Sequence, residues 1–281
     1  MALSTAVDVT TTRWSPRDVA PSAATTVLSC AGATHAGAVR SVNEDSFLVG
    51  PPVFVVADGI GGHACGDIAS ALVVEAFAPL SGDACATAAD VEAALARARV
   101  TVAGIDGAGP AEPGATMVSA SYLVEGERAY WLISHVGDSR AYSWTGSAVE
   151  QITHDHSVVQ ELIDSGELSA EAAATHPDRH VITRAIGAAG NTAAEFSLLP
   201  VESKQRLLLC SDGLTSEVSD RAISMILSNA ASAEQAVSDL VDAAVNMGGR
   251  DNVTVVVIDV LGLGPFAALR EDTIPLQRKP R

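Results

Sequence analysis

Val53-Phe54-Val55-Val56-Ala57-Asp58-Gly59-Ile60-Gly61-Gly62-His63 joins an apolar run to a carboxylate, three glycines and a histidine. The β-branched and aromatic residues read as a buried strand. A strand that stops at Asp58 delivers that carboxylate to the rim of a sheet on a rigid element. The glycines let the backbone turn tightly or pass close to a ligand. Two readings are open for this stretch alone. Asp58 is a functional group at a rim, or it is the cap of a following helix, since Asp and Gly are ordinary turn residues.

The same ending recurs along the chain. The apolar run 133–136 gives Gly137-Asp138, and the run 207–210 gives Ser211-Asp212-Gly213. Asp251-Asn252 stands in the reverse order, just ahead of an apolar run. One Asp at a strand end is a turn; four on separate strands point to a shared rim. Four carboxylates gathered there would repel strongly unless cations neutralise them. Hard divalent ions with oxygen ligands, Mg2+ or Mn2+, answer that need. Two such ions about 3.5–4 Å apart can activate a bridging water toward phosphorus. Arg40, ahead of Asp45, suits a phosphate, because a guanidinium forks onto it. His63 suits a proton donor to the leaving group.

Around these motifs the chain reads as alternating pairs of strands and pairs of helices. Strands are expected near 27–35, and 46–49 with 53–57 as a hairpin around Gly50-Pro51-Pro52. A helix is expected over 67–78, its stripe formed by Ile68, Leu72 and Ala76, and Asp67 is available as its cap. A second helix begins at Thr87, which stands at capping-box spacing from Asp90, with Val91, Leu95, Ala98 and Val102 as its buried stripe. Further strands are expected over 115–124, 128–135, 141–144, 206–210 and 253–260, and further helices over 219–227 and 233–247. Residues 155–184 read as a mostly helical, polar insertion over the site. The pattern gives an α+β fold with one domain over 25–262. Residues 1–24 are expected to be a loosely ordered, Thr-, Ser- and Pro-rich lead-in, and 263–281 a mildly basic tail.

A chain of 281 residues can bury a sizeable core. Its 34 acids against 17 bases argue against a nucleic-acid face, which needs clustered Lys and Arg. Cys30, Cys65, Cys85 and Cys210 show no CxxC spacing and read as reduced thiols. Cys210 lies among leucines with no base beside it, so it reads as inert and not as a nucleophile. His35 and His135 lie in strand patterns and read as packed side chains. The glycines of 59–62 are not a nucleotide loop, because no Lys-Ser/Thr follows. The apolar stretch 253–269 is too broken for a membrane span, and no signal peptide is visible, so a free-standing, cytoplasmic monomer is expected.

The series Val39-Arg40-Ser41-Val42-Asn43-Glu44-Asp45, Asp58-Gly59-Ile60-Gly61-Gly62-His63, Gly137-Asp138-Ser139-Arg140, Ser211-Asp212-Gly213 and Arg250-Asp251-Asn252 resembles the metal-dependent protein serine/threonine phosphatases, the PPM or type 2C family, in its compact bacterial form. The resemblance implies a four-layer α-β-β-α sandwich, two central antiparallel sheets flanked by helices, with the metal site at one end. It implies that Asp58 bridges two ions of Mn2+ or Mg2+ and that Gly59 offers its carbonyl. Asp212 and Asp251 would ligate one ion, Glu44 and Asp45 would act mainly through water, and Asp138 with Asp212 would support a third ion. Arg40 would hold the phosphate and His63 would be the general acid. Residues 157–180 would form a flap beside the site. The implied substrates are phosphoserine and phosphothreonine in proteins phosphorylated by a serine/threonine kinase, in signalling. Gly114-Ala115-Thr116 stands where Gly-Thr-Thr is common, a difference in packing and not in chemistry. Arg179-His180 replaces Arg-Asn, which bears on flap contacts and on no metal ligand.

Two other classes stay beside that reading. One is a non-catalytic phosphoprotein-binding module with the same fold. The other is a phosphatase for small phosphorylated metabolites.

Overall fold

The structure is a computed structural model that describes residues 8–16, 26–60, 65–105, 113–146, 149–188 and 192–263. Its strands are β1 (Asp8–Trp14), β2 (Val27–His35), β3 (Asp45–Gly50), β4 (Val53–Ile60), β5 (Gly114–Ala115), β6 (Met117–Glu125), β7 (Arg128–Val136), β8 (Arg140–Trp144), β9 (Val149–Gln151), β10 (Glu195–Pro200), β11 (Arg206–Cys210) and β12 (Val253–Gly262). Its helices are α1 (Gly66–Phe77), α2 (Ala88–Ala103), α3 (Val158–Asp164), α4 (Ala170–Ala173), α5 (Asp212–Thr215), α6 (Asp220–Asn229) and α7 (Ala233–Met247).

Two antiparallel sheets face each other, one ordered β1-β2-β12-β11-β8-β9 and the other β10-β7-β6-β4-β3, with β5 on β4. Side-chain alternation along each strand divides the apolar residues between layers. In β11, Leu207 and Leu209 enter the core between the sheets, while Leu208 and Cys210 pack toward α6 and α7. In β4, Phe54 and Val56 face the other sheet, while Val53, Val55 and Ala57 pack beneath α1 and α2. These three cores make the expected α-β-β-α sandwich. Tyr122 and Trp131 meet edge to face in the middle core at 5.7 Å, a geometry aromatic quadrupoles favour.

Local signals explain several elements. Thr87 accepts from the Asp90 N–H and the Asp90 carboxylate accepts from the Thr87 N–H, so the capping box starts α2. Val91, Leu95, Ala98 and Val102 are its buried stripe. Gly248, at φ 153°, ends α7.

Other expectations are corrected. The lead-in is not loose over 8–14: β1 pairs with β2 from Asp8 to Trp14, so the sandwich begins earlier than residue 25. Val9 and three consecutive threonines favour an extended edge strand even without an apolar face. Trp14 secures it, packing edge-on against Tyr122 at 5.4 Å. The buried face of α1 is Ala69, Val73, Ala76 and Phe77, while Ile68 is 46% exposed. At the start of α1, Gly66 lies so close to Gly59 that a Cβ on Gly59 would meet the Gly66 carbonyl oxygen at 2.0 Å. Asp67 is inside the first turn of α1 and the N-cap position belongs to Cys65. Residues 155–184 contain only the two short helices α3 and α4. Strands β9 and β10 were not expected. The tail beyond 263 lies outside the described residues.

Candidate metal centre

Strand parity gathers the carboxylates. Phe47 and Val49 of β3, like Phe54 and Val56 of β4, face the space between the sheets. Asp45 and Asp58 fall on the same parity and stand directly opposite each other in the β3–β4 register. From the other sheet, Leu209 and Val256 share that space, and two residues further along their strands come Ser211 and Thr254. Ser211 Oγ donates to Asp45 Oδ2 at 2.8 Å and accepts from the Thr254 N–H at 3.0 Å. The rim of the sandwich is thereby closed across both sheets.

Asp138 joins through the turn after β7. Gly137 there has φ 99°, and a Cβ would strike Thr116 at 2.6 Å, so glycine is required on both counts. Thr116 ties this turn to β4: its N–H donates to the Asp58 carbonyl at 2.8 Å and its hydroxyl meets Ser139 Oγ at 2.6 Å. Asp212 starts α5, and Asp251 precedes β12. Asn252 holds the remaining side. Its carboxamide oxygen accepts from the Glu44 N–H at 2.8 Å, and its amide nitrogen donates to the carbonyls of Ala36 and Val42. The loop bearing Arg40, Glu44 and Asp45 is thus fixed against the strand that follows Asp251. Glu44 lies over α1, its Oε1 only 2.6 Å from where a Gly66 Cβ would stand.

The electrostatics report the convergence. Burial raises the Asp58 carboxyl well above the usual carboxylate range, and repulsion from Asp45, Asp212, Asp138 and Asp251 adds to it. Burial pushes Asp45 up to about 7, with repulsion from Asp212 and Asp251. Burial likewise pushes Asp138 up to about 8, with Asp212 the leading neighbour. Asp45 Oδ1 is buried and has no hydrogen-bond partner among the described residues. A buried carboxylate oxygen without a donor, facing other carboxylates, is the arrangement that hard oxygen-seeking dications satisfy. The residues present therefore suit Mn2+ or Mg2+.

The expected residues do not all stand alike. Asp45, Asp58, Asp138, Asp212 and Asp251 share the centre, and Glu44 and Gly59 are adjacent, the Gly59 N–H donating to the Glu44 carbonyl at 3.1 Å. Arg40 reaches the centre through Asp251, Nη2 to Oδ2 at 2.8 Å, from an exposed loop. His63 lies outside the described residues. His180 contacts an expected ligand after all, its Nδ1 standing 3.9 Å from Asp212 Oδ2. His35 and His135 are buried, as expected of packed rings. Cys210 is buried and its thiol is pushed up to about 12, which leaves it un-ionised and inert. Ser211 and Asn252 stand inside the motifs and carry supporting bonds that the sequence does not by itself reveal. Their polar side chains beside motif carboxylates were the signal available.

Residues 31–253 match the model of the protein phosphatase 2C family. The serine/threonine protein phosphatase PstP of Mycobacterium tuberculosis is 37% identical over 239 residues, covering 84% of this chain and 46% of that protein. The chain therefore spans about half the length of that relative. The serine/threonine phosphatase stp of Listeria welshimeri is 32% identical over 247 residues, covering 80% of this chain and 93% of the relative. The crystal structure of the PstP catalytic domain in complex with two manganese ions is similar at TM-score 0.74 and 33% identity, covering 85% of this chain and 100% of that one.

Proposed function

The chain belongs to the protein phosphatase 2C family, and from that premise we propose that it is a metal-dependent phosphatase for phosphoserine and phosphothreonine in proteins. The observation that carries the reading is the cluster of Asp45, Asp58, Asp138, Asp212 and Asp251, whose mutual repulsion calls for dications.

Asp58, buried among Asp45, Asp138, Asp212 and Asp251, would hold both ions. Asp212 and Asp251 would complete one ion, Asp138 and Asp212 would serve a third, and Gly59, Glu44 and Asp45 would line the remainder. When bound, Mn2+ or Mg2+ neutralises the cluster and acts as a Lewis acid toward water and phosphate oxygens. The protein does the rest. Arg40 sits exposed at the rim with one of its five donors engaged by Asp251, so its guanidinium can take phosphate oxygens and orient phosphorus above the carboxylates. His63, next after the glycines, is assigned to protonate the departing serine or threonine oxygen. The segment 157–180 overhangs the site through His180 and is assigned to substrate choice.

We further place the protein in the cytoplasm as a monomer, reversing a serine/threonine kinase in signalling. Four cysteines, none of them paired, suit a reducing compartment. No helix among the described residues is long and apolar enough to cross a membrane.

The test is hydrolysis of p-nitrophenyl phosphate and of a phosphothreonine peptide with Mn2+, against Asp58→Ala. Turnover of both substrates by the parent and by neither in the variant is expected. Background rates for parent and variant alike would sink the enzymatic reading in favour of a binding module. Preference for small phosphorylated metabolites over the peptide would replace the substrate class.

A further inference from the structure

His156 is buried beside the centre without belonging to it. It brackets Gly137: its own N–H donates to the Gly137 carbonyl at 3.0 Å, and its Nδ1 accepts from the Gly137 N–H at 3.1 Å. The same residue holds the overhanging segment at its base. Its carbonyl accepts from the Thr183 N–H at 2.8 Å, and Ser157 and Ile182 form an antiparallel bridge directly after it. On the far side of the ring, Nε2 lies 3.2 Å from Glu195 Oε1 and 3.1 Å from Arg184 Nη1, while Arg184 Nη1 donates to Glu195 at 2.8 Å. His135 stacks on the ring at 4.5 Å.

Ligand atoms of His135, His156 and Glu195 converge within 4.8 Å, a spacing that could hold a metal ion. The hydrogen bonds argue against it. An Nδ1 that accepts from Gly137 must carry its lone pair, so a neutral ring has its proton on Nε2. Burial, with His135 and Arg184, keeps the ring neutral by pushing its pKa down to about 4. The Nε2 lone pair is then absent, and Arg184 already supplies the cation at that place.

We propose that His156 is a positioning residue: its Nδ1 fixes the Gly137–Asp138 turn, and through it the aim of the Asp138 carboxylate, while its main chain ties that turn to the base of the 157–180 segment. This rests on the reading of Asp138 as a metal ligand. The geometry separates the two ends of the ring. In His156→Asn the carboxamide oxygen takes the place of Nδ1 and keeps the Gly137 bond. In His156→Gln the amide reaches toward Glu195 and that bond is lost.

The experiment is Mn2+ titration of the full chain by calorimetry, with Asp138→Asn alongside and circular dichroism to verify folding. Asp138→Asn and His156→Gln should each weaken the same, weakest Mn2+ step by about tenfold or more, while His156→Asn should bind like the parent. If Asp138→Asn weakens that step and neither His156 variant does, the positioning role is overturned and the Asp138 reading survives. If Asp138→Asn binds Mn2+ unchanged, both fall together. Equal losses in both His156 variants would overturn the specific role of Nδ1. A measurement on the parent protein covers variants that fail to fold: the nitrogen-15 spectrum of His156 must show the tautomer protonated at Nε2, and a proton on Nδ1 would refute the proposal.

Discussion

The Ser211 hydroxyl donates to Asp45 Oδ2 at 2.8 Å, reaching from just past the end of β11 in one sheet to β3 in the other. The same oxygen accepts from the Thr254 N–H. One side chain thus registers the two halves of the sandwich at the carboxylates. Ser211→Ala removes both bonds and leaves the Thr254 amide and the Asp45 carboxylate without that partner. Such orphaned buried groups cost about 1–3 kcal/mol. Urea unfolding should report a loss of that size, and the Mn2+ concentration for half-maximal hydrolysis should rise. Unchanged stability would mean that the sheets are registered elsewhere.

Asp45 and Asp138 are pushed up to about 7 and about 8, burial being the main cause in each. Around neutral pH the folded protein therefore retains protons that unfolded carboxylates, near about pH 4, have released. With divalent ions chelated, this contribution to stability is full below about pH 4 and is lost as pH rises through about 7 to 8. Bound Mn2+ should reverse the trend, because its ligands must be deprotonated and ligation stabilises the folded state. Melting temperatures in EDTA should be lower at pH 8 than at pH 5, and the Mn2+-induced increase should be larger at pH 8. Equal EDTA melts at the two pH values would contradict the cluster.

Asp58→Asn should move stability and activity in opposite directions. It replaces a carboxyl whose ionisation is opposed by burial and then by Asp45, Asp212, Asp138 and Asp251, so at a pH high enough to force that ionisation the EDTA-treated variant should melt above the parent. The same change removes the carboxylate assigned to both ions, and Mn2+-dependent hydrolysis should fall at least about 100-fold. Loss of stability together with activity would point to a structural Asp58.

Strand β4 was readable because it is buried on both faces, so its sequence is apolar without interruption up to Asp58. The helix α2 was readable from its buried stripe and its capping box. Strand β1 was hidden because an exposed edge strand needs no apolar alternation, only β-branched residues and a neighbour. On α1 the expected stripe through Ile68 gives way to a face through Ala69, Val73 and Phe77, because the helix packs against β4 and α2, neighbours that only folding supplies. The carboxylates of the centre were legible as strand ends. The bonds of Ser211 and Asn252 that support them were not, since their partners come from distant segments that only folding brings together.

The capping box of α2 gives a control remote from the chemistry. Thr87→Ala removes the side chain that accepts from the Asp90 N–H and should destabilise the protein by about 1 kcal/mol. The helix packs on the outer face of its sheet, so turnover at saturating Mn2+ should remain that of the parent below the melting transition. A fall in turnover there would show that the outer layer is coupled to the centre.

Glu217 supplies the last prediction. Its carboxylate accepts from the Arg250 N–H at 3.2 Å, from Nε at 2.7 Å and from Nη2 at 3.0 Å. Arg250 directly precedes Asp251, and the neighbouring Gly249 carbonyl accepts from the Ala38 N–H in the loop that carries Arg40. A fork of charge-assisted bonds to an exposed arginine adds little to global stability, yet it sets where the chain enters Asp251. Glu217→Gln keeps the shape and weakens the fork; Glu217→Ala abolishes it. The Mn2+ concentration for half-maximal activity should rise modestly in the first and by about tenfold in the second, the scale for groups that orient a ligand. Melting temperatures in EDTA should change little in either. The order parent, Gln, Ala in Mn2+ requirement is the signature of positioning; a matching drop in melting temperature without a change in Mn2+ requirement would make Glu217 a structural residue only.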